Sequence, residues 1–223
     1  MKDKLMVALD LASAKEALQM RDILADEVHW FKVGLRLFVA EGPDFVRELL
    51  KTHKVFLDLK FHDIPNTVAQ AVHSAGELGV QLTNVHAAGG SLMLQKAAEA
   101  ASHYDHMKLI AVSVLTSSDM PEEEAKKQVI TYAKLTQEAD LDGVVCSVHE
   151  AKAVKDACGQ HFMTVTPGIR WSNASLDDQQ RVADPAYALR CGADYLVVGR
   201  PILQAKSPKE AAQSAILMME KAI

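Results

Sequence analysis

The sequence has no cysteine pattern from which a disulfide framework or a zinc site is built. Its three cysteines, Cys146, Cys158 and Cys191, are odd in number and show no C-x-x-C spacing. They read as small buried apolar residues in a reducing compartment. Long hydrophobic runs are missing too. After Lys2 and Lys4 the first apolar stretch is interrupted by Asp10, so it is too short for a secretory signal and far too short for a membrane span. These absences place the expected protein in the cytoplasm, away from membranes. Positive charge is not in excess. The formal net charge of −5 argues against broad binding to nucleic acid, while leaving room for a local basic patch that takes a small anion. None of the nine histidines falls in an H-E-x-x-H or similar metal spacing.

What is present is an ordinary globular composition, 49% apolar and 24% charged over 223 residues, with no linker or low-complexity tract. That is enough chain to bury a large core without staples, and residues 1–223 read as one domain. Short apolar runs rich in β-branched residues recur at Leu5–Leu9, Trp30–Val33, Val55–Leu59, Leu82–Val85, Leu109–Leu115, Val144–Cys146, Thr164–Thr166 and Tyr195–Val198. Their centres lie about 20 to 35 residues apart, the spacing of successive βα units. Helical patterns fill the gaps. Val68, Ala71, Val72, Ala75 and Leu78 keep the rhythm of one buried helix face, as do Phe45, Val46, Leu49 and Leu50 after a Gly42-Pro43 start, and Ala211, Ala212, Ala215, Ile216 and Met219. Ser13 with Glu16 forms a capping-box pattern at the first helix. Eight strands each followed by a helix predict an α/β fold of the closed (β/α)8 type, a TIM barrel. An open doubly wound sheet is the alternative. Against it, no G-x-G-x-x-G follows the first strand, and polar residues recur at the ends of nearly all the strands, which in a barrel ring one mouth.

The third strand ends in Asp58-Leu59-Lys60-Phe61-His62-Asp63-Ile64-Pro65-Asn66-Thr67. Alternation puts Asp58 and Lys60 on one side and Leu57 and Leu59 on the other. Charge at the end of an apolar strand is costly unless the groups pair or work. A structural ion pair has the same spacing. That plainer reading weakens because Asp10 ends the first strand and Lys32 lies in the second. If the register holds, Asp10, Lys32, Asp58 and Lys60 face one cavity, each lysine kept cationic by aspartates and each aspartate kept anionic by lysines. At the other side of the mouth, Thr166-Pro167-Gly168-Ile169-Arg170 follows the seventh strand and Val198-Gly199-Arg200-Pro201 the eighth. Glycines there let backbone N–H groups approach an anion, and Arg200 suits phosphate; barrels habitually bind phosphate after these strands. The polar stretch from Trp171 to Arg181 is either a lid or an ordinary surface loop. His62 and His86 read as satisfied structural histidines, Glu122–Glu124 as a helix N-terminus.

With these motifs in place, the chain resembles the orotidine 5′-monophosphate decarboxylase family in its bacterial branch. The match covers Ala8-Leu9-Asp10, Phe31-Lys32-Val33-Gly34, the Asp58-x-Lys60-x-x-Asp63-Ile64-Pro65-Asn66-Thr67 stretch, Val114-Leu115-Thr116-Ser117, Thr166–Arg170, Asp178-Gln179-x-Arg181 and Val198-Gly199-Arg200. The D-x-K-x-x-D core is shared with a wider group of phosphate-binding barrels; the Ile-Pro-Asn-Thr extension and the Pro-Gly-Ile-Arg loop make the match specific. The resemblance implies cofactor-free, metal-free decarboxylation of orotidine 5′-monophosphate to uridine 5′-monophosphate. It implies that Asp10 and Lys32 bind ribose, Asp58 lies against the substrate carboxylate, and Lys60 protonates C6. It further implies that Thr116 contacts the pyrimidine, Gln179 bridges base and phosphate, and Arg170, Gly199 and Arg200 hold the phosphate. Ile64 counts among its substrate-binding positions. Asp63 and Thr67 are implied to reach the site of a partner subunit in a homodimer. Two rivals stay open on the residues alone: a cousin barrel using Mg2+ on a sugar phosphate, and a barrel that only binds a phosphorylated ligand.

Overall fold

A computed structural model of the chain describes residues 1–115, 119–171 and 183–222. Among the described residues, eight parallel strands close into a barrel in sequence order. They are β1 (Leu5–Ala8), β2 (Trp30–Gly34), β3 (Lys54–Phe61), β4 (Leu82–His86), β5 (Lys108–Val112), β6 (Gly143–Val145), β7 (Met163–Thr166) and β8 (Tyr195–Val198). Closure is made by β1 pairing with β8, Leu5 opposite Leu196 and Val7 opposite Val198. That pairing excludes the open sheet. The outer ring holds α1 (Ala14–Leu24), α2 (Leu35–Leu50), α3 (Pro65–Leu78), α4 (Gly90–Ala101), α5 (Glu122–Glu138), α6 (Val148–Cys158), α7 (Pro185–Arg190), the short α8 (Arg200–Leu203) and α9 (Pro208–Glu220). No described helix is long and apolar enough to cross a membrane.

Strand alternation divides the core in two. Met6, Trp30, Phe56, Leu82, Ile110, Val165 and Val197 fill the barrel interior. Their neighbours, among them Leu5, Val7, Phe31, Val33, Val55 and Leu57, pack outward on the helices. Each fully buried large side chain contributes about 1.5–3 kcal/mol of transfer free energy. The same parity, continued toward the strand ends, sends Asp10, Lys32, Asp58 and Asn84 inward above the apolar plug. The fold therefore places charge at the mouth by arithmetic of period two.

Local signals behave as their chemistry dictates, with three differences. Ser13 caps α1 by accepting the Glu16 N–H at 3.3 Å, but the Glu16 carboxylate accepts from Ala12 rather than from Ser13. Gly42-Pro43 starts a helical segment as read, yet a further helical stretch, Leu35 onward, precedes it. Gly42, at φ 70°, makes the kink between the two. The fifth strand stops at Val112, short of the expected Leu115, which is about half exposed. Cys146 and Cys158 are buried as expected, and Cys191 is partly exposed. Burial pushes the Cys146 thiol up, so it is a neutral packing group.

Candidate active site

A cavity of about 260 Å³ opens at the C-terminal ends of the strands. Its polar wall is built from successive strand ends. Asp10 follows β1, Lys32 lies in β2, and Asp58 and Lys60 lie in β3. These four, expected to face one cavity, do so. The Lys32 ammonium lies 3.1 Å from Asp10 Oδ1 and 3.2 Å from Asp58 Oδ2. Lys60 Nζ is 2.6 Å from Asp58 Oδ1. The result is a continuous row of alternating charge, Asp10–Lys32–Asp58–Lys60.

The partner charges outweigh burial in setting the protonation states of Asp58 and Lys32. For Asp58, desolvation pushes the carboxyl up, but Lys32, Lys60 and the amide of Asn84 together outweigh it and hold the pKa below the usual value. For Lys32, desolvation pushes the ammonium down, and Asp58 and Asp10 more than restore it. Both groups are thus charged across neutral pH. Gly34 makes room for this. A Cβ at that position would stand 3.0 Å from Lys32 Nζ, so any side chain there would crowd the ammonium and ask it to shift by a few tenths of an ångström.

The route by which Lys60 reaches Asp58 differs from simple alternation. Lys60 has φ 54°, the left-handed region that an L-residue with a long side chain rarely occupies. Register jumps between Leu57 opposite Thr83 and Phe61 opposite Val85, so four steps along β3 answer two along β4. Leu57 and Leu59 still face the helices as expected. Sequence reasoning passed over Asn84. It is fully buried, and its side chain bonds both Asp58 and the Lys60 backbone. Its signal was visible as a polar residue of inward parity in an apolar strand.

On the wall formed after β7 and β8, Gly168, Arg170, Gly199 and Arg200 line the same cavity. Gly168 has φ 80°, and the Arg170 backbone N–H is held by the Ala183 carbonyl at 2.9 Å. Gly199 lies against Ala8 and Asp10, where a Cβ would already be in contact at 3.5 Å. Ile64, expected to bind substrate, is not brought in, and Asp63 and Thr67, expected at a partner subunit's site, lie apart from this cavity too. All three are exposed. Asp63 instead accepts the Ile64 N–H at 2.7 Å. Thr116 and Gln179, with Asp178 and Arg181, lie outside the described residues. The His62 and His86 rings stand 5.4 Å apart just beyond Lys60. Burial, with His62 and Lys60 nearby, pushes His86 down and keeps it neutral.

Burial of an ion pair does not by itself mark a site here. Lys155 is equally buried, but Asp194 and the carbonyls of Gln160 and Phe162 take up its ammonium, and it lines none of this cavity. The mouth row differs because it lines open space.

Residues 3–215 match the family model described as "Orotidine 5'-phosphate decarboxylase / HUMPS family". The chain is 52% identical over 220 residues to an orotidine 5′-phosphate decarboxylase of Legionella pneumophila (strain Paris), covering 94% of this chain and 96% of that protein. A protein of the same description from Trichlorobacter lovleyi is 46% identical over 225 residues, covering 95% and 93%. The crystal structure of orotidine 5′-phosphate decarboxylase from Lactobacillus acidophilus superposes with a TM-score of 0.84 at 36% identity, covering 97% of this chain and 99% of that one.

The charge row itself is open to test. Lys32→Met leaves Asp58 with one ammonium neighbour in a buried position, a loss of about 3–5 kcal/mol of stability for a broken buried pair. Because the Asp58 pKa is depressed by that neighbour, its proton uptake on acidification is expected at higher pH in the variant. Carboxyl NMR of labelled protein checks this; an unshifted Asp58 titration would show that Lys32 does not hold its charge.

Proposed function

The chain belongs to the orotidine 5′-phosphate decarboxylase / HUMPS family, and we propose that it converts orotidine 5′-monophosphate to uridine 5′-monophosphate in pyrimidine nucleotide synthesis, with Lys60 as the proton donor and no cofactor. It is an enzyme, a carboxy-lyase. The observation that carries the mechanistic reading is the row of alternating charge along the cavity wall, with Lys60 as its last ammonium.

In this reading the phosphate lies against Arg170, Gly199 and Arg200, with ribose hydroxyls at Asp10 and Lys32. The pyrimidine carboxylate then meets Asp58. The C6–carboxylate bond breaks, CO2 departs, and the electron pair stays on C6. The Lys60 ammonium faces that carbon, stabilises the developing charge and transfers its proton to it. Water returns a proton to Lys60 after release. Asp58 orients Lys60 and raises the free energy of the bound carboxylate by repulsion. The phosphate is remote from C6, so its binding energy acts by ordering the site, which appears in kcat as well as in KM. Thr116 and Gln179 are proposed to contact the base. A Mg2+-dependent reading fits the donors less well, since each carboxylate in the cavity already has an ammonium against it.

We place Asp63, Ile64 and Thr67 in the site of a second copy. They are exposed and do not line their own cavity, and large apolar side chains near the starts of α2, α3 and α4 are uncovered: Leu35, Val39, Ile64 and Leu92 are 54, 79, 67 and 63% exposed. A homodimer in the cytoplasm, without nucleic-acid or membrane partners, completes the proposal.

Lys60→Ala is expected to lower kcat by about 10³-fold or more while leaving the melting curve cooperative. Near-normal turnover would refute the proton-donor role. Arg200→Ala is expected to lose about 1.5–3 kcal/mol of transition-state binding, roughly a 10- to 150-fold fall in kcat/KM. An unchanged kcat/KM would displace the phosphate site. Ile64→Glu is expected to shift light-scattering mass from dimer to monomer and to reduce turnover; a fully active monomer would contradict the shared site.

A further inference from the structure

The strained backbone at Lys60 is supported by a side chain of the neighbouring strand. Lys60 lies where the β3–β4 register jumps, between the Leu57–Thr83 and Phe61–Val85 pairs. Asn84 Oδ1 accepts that N–H at 2.8 Å. The other end of the same amide, Nδ2–H, donates to Asp58 Oδ1 at 2.8 Å. Asp58 Oδ1 also receives Lys60 Nζ, whereas Oδ2 faces Lys32. One planar group therefore fixes the φ of one residue and the carboxylate rotation of the other. An asparagine amide carries a donor and an acceptor on one plane without having to take up a proton. It is wholly enclosed, so water cannot take over either bond.

We propose that Asn84 is a positioning residue of this active site: it holds the left-handed backbone at Lys60 and the orientation of the Asp58 carboxylate, and so aims the Lys60 ammonium at the reacting carbon. Asn84 touches neither substrate nor the cavity surface; it acts through the other two. The inference rests on the proposed roles of Lys60 and Asp58 and adds the group that makes their geometry possible. It also explains why a lysine tolerates φ 54°: the cost of the conformation, about 1–3 kcal/mol for such a backbone, is offset by a bond that exists only in that conformation.

Two substitutions separate this role from plain packing. Asn84→Ala removes both bonds. Asn84→Asp keeps an acceptor for the Lys60 N–H but sets a second carboxylate against Asp58. When that new carboxyl is protonated, its O–H donates to Asp58 and restores the lost bond. Two carboxylates at this distance share a proton up to raised pH. The charged and titratable groups around the position are Asp58 and Lys60 from β3, Lys32 from β2, and His86 on β4 with His62 beside it; β5 contributes Ile110 opposite it. Taking the ratio of variant to wild type at each pH cancels the titration of the groups both share.

The experiment is steady-state turnover of orotidine 5′-monophosphate by the full chain, wild type, Asn84→Ala, Asn84→Asp and Lys60→Ala side by side, with thermal melting of each. For Asn84→Ala, kcat is expected to fall about 100-fold, the loss typical of a catalytic group displaced by about 1 Å, with KM within about threefold of wild type. For Asn84→Asp, the ratio of its kcat to that of wild type is expected to rise as pH falls from about 8.5 to about 6, as the shared proton is taken up. If Asn84→Ala does not fold, the pH ratio of Asn84→Asp decides alone. Either variant with near-normal kcat throughout, or an Asn84→Asp ratio flat with pH, overturns the proposal. Active Lys60→Ala would instead defeat the proton-donor reading beneath it, whereas inactive Lys60→Ala beside normal Asn84 variants would defeat this inference alone.

Discussion

Asp58 sits buried between two ammonium groups, Lys32 at 3.2 Å and Lys60 at 2.6 Å, and the rest of the site is arranged around keeping it there as an anion. An uncompensated carboxylate in that position would cost several kcal/mol. Compensation comes from two strands and a third supplies the amide, so the charge is held by the barrel wall and not by one loop. The Lys32 ammonium in turn needs Asp10, the absence of a side chain at Gly34, and the register that sets Ala8 opposite Lys32. A slip of one residue in β2 or β3 would bury the lysines among the helices and point Phe31 or Leu57 into the mouth. Closure of the barrel removes that freedom, which is how a fold-level constraint becomes a protonation state.

The two walls of the cavity divide the labour. One carries two carboxylates and two ammoniums in alternation, so its formal charges cancel while their positions stay fixed. The other carries Arg170, Arg200 and glycine turns suited to a phosphate. A substrate that spans both is oriented before reaction. In the proposed mechanism, binding energy gained at the arginines is available to press a carboxylate against Asp58, which by itself would repel it. The negative net charge of the chain is no obstacle, because Lys32, Lys60, Arg170 and Arg200 outnumber the two carboxylates at this mouth.

Much of this was legible in the sequence. Strand positions, the barrel and the four facing charges follow from period-two alternation and from the spacing of apolar runs, and Gly42-Pro43 and Ser13 gave usable start signals. The bulge at Lys60 was not legible, because alternation assumes a regular strand and the register jump is set by pairing with β4. Asn84 was missed for the same reason: its two partners come from another strand, and as a lone asparagine in an apolar run it carries no motif. The leading half of α2 was hidden because its kink at Gly42 looked like a beginning. Asp63, Ile64 and Thr67 were read from resemblance, and the physics of one chain gives them only exposure.

The central claim is that fixed ammonium and carboxylate groups, without a metal, do the chemistry. Turnover of orotidine 5′-monophosphate followed by ultraviolet absorbance with EDTA present throughout tests it most directly. Full-rate loss of the substrate band in chelator is the predicted result. No turnover in EDTA, restored on adding excess Mg2+, would contradict the account and reassign the carboxylates of the mouth as metal ligands.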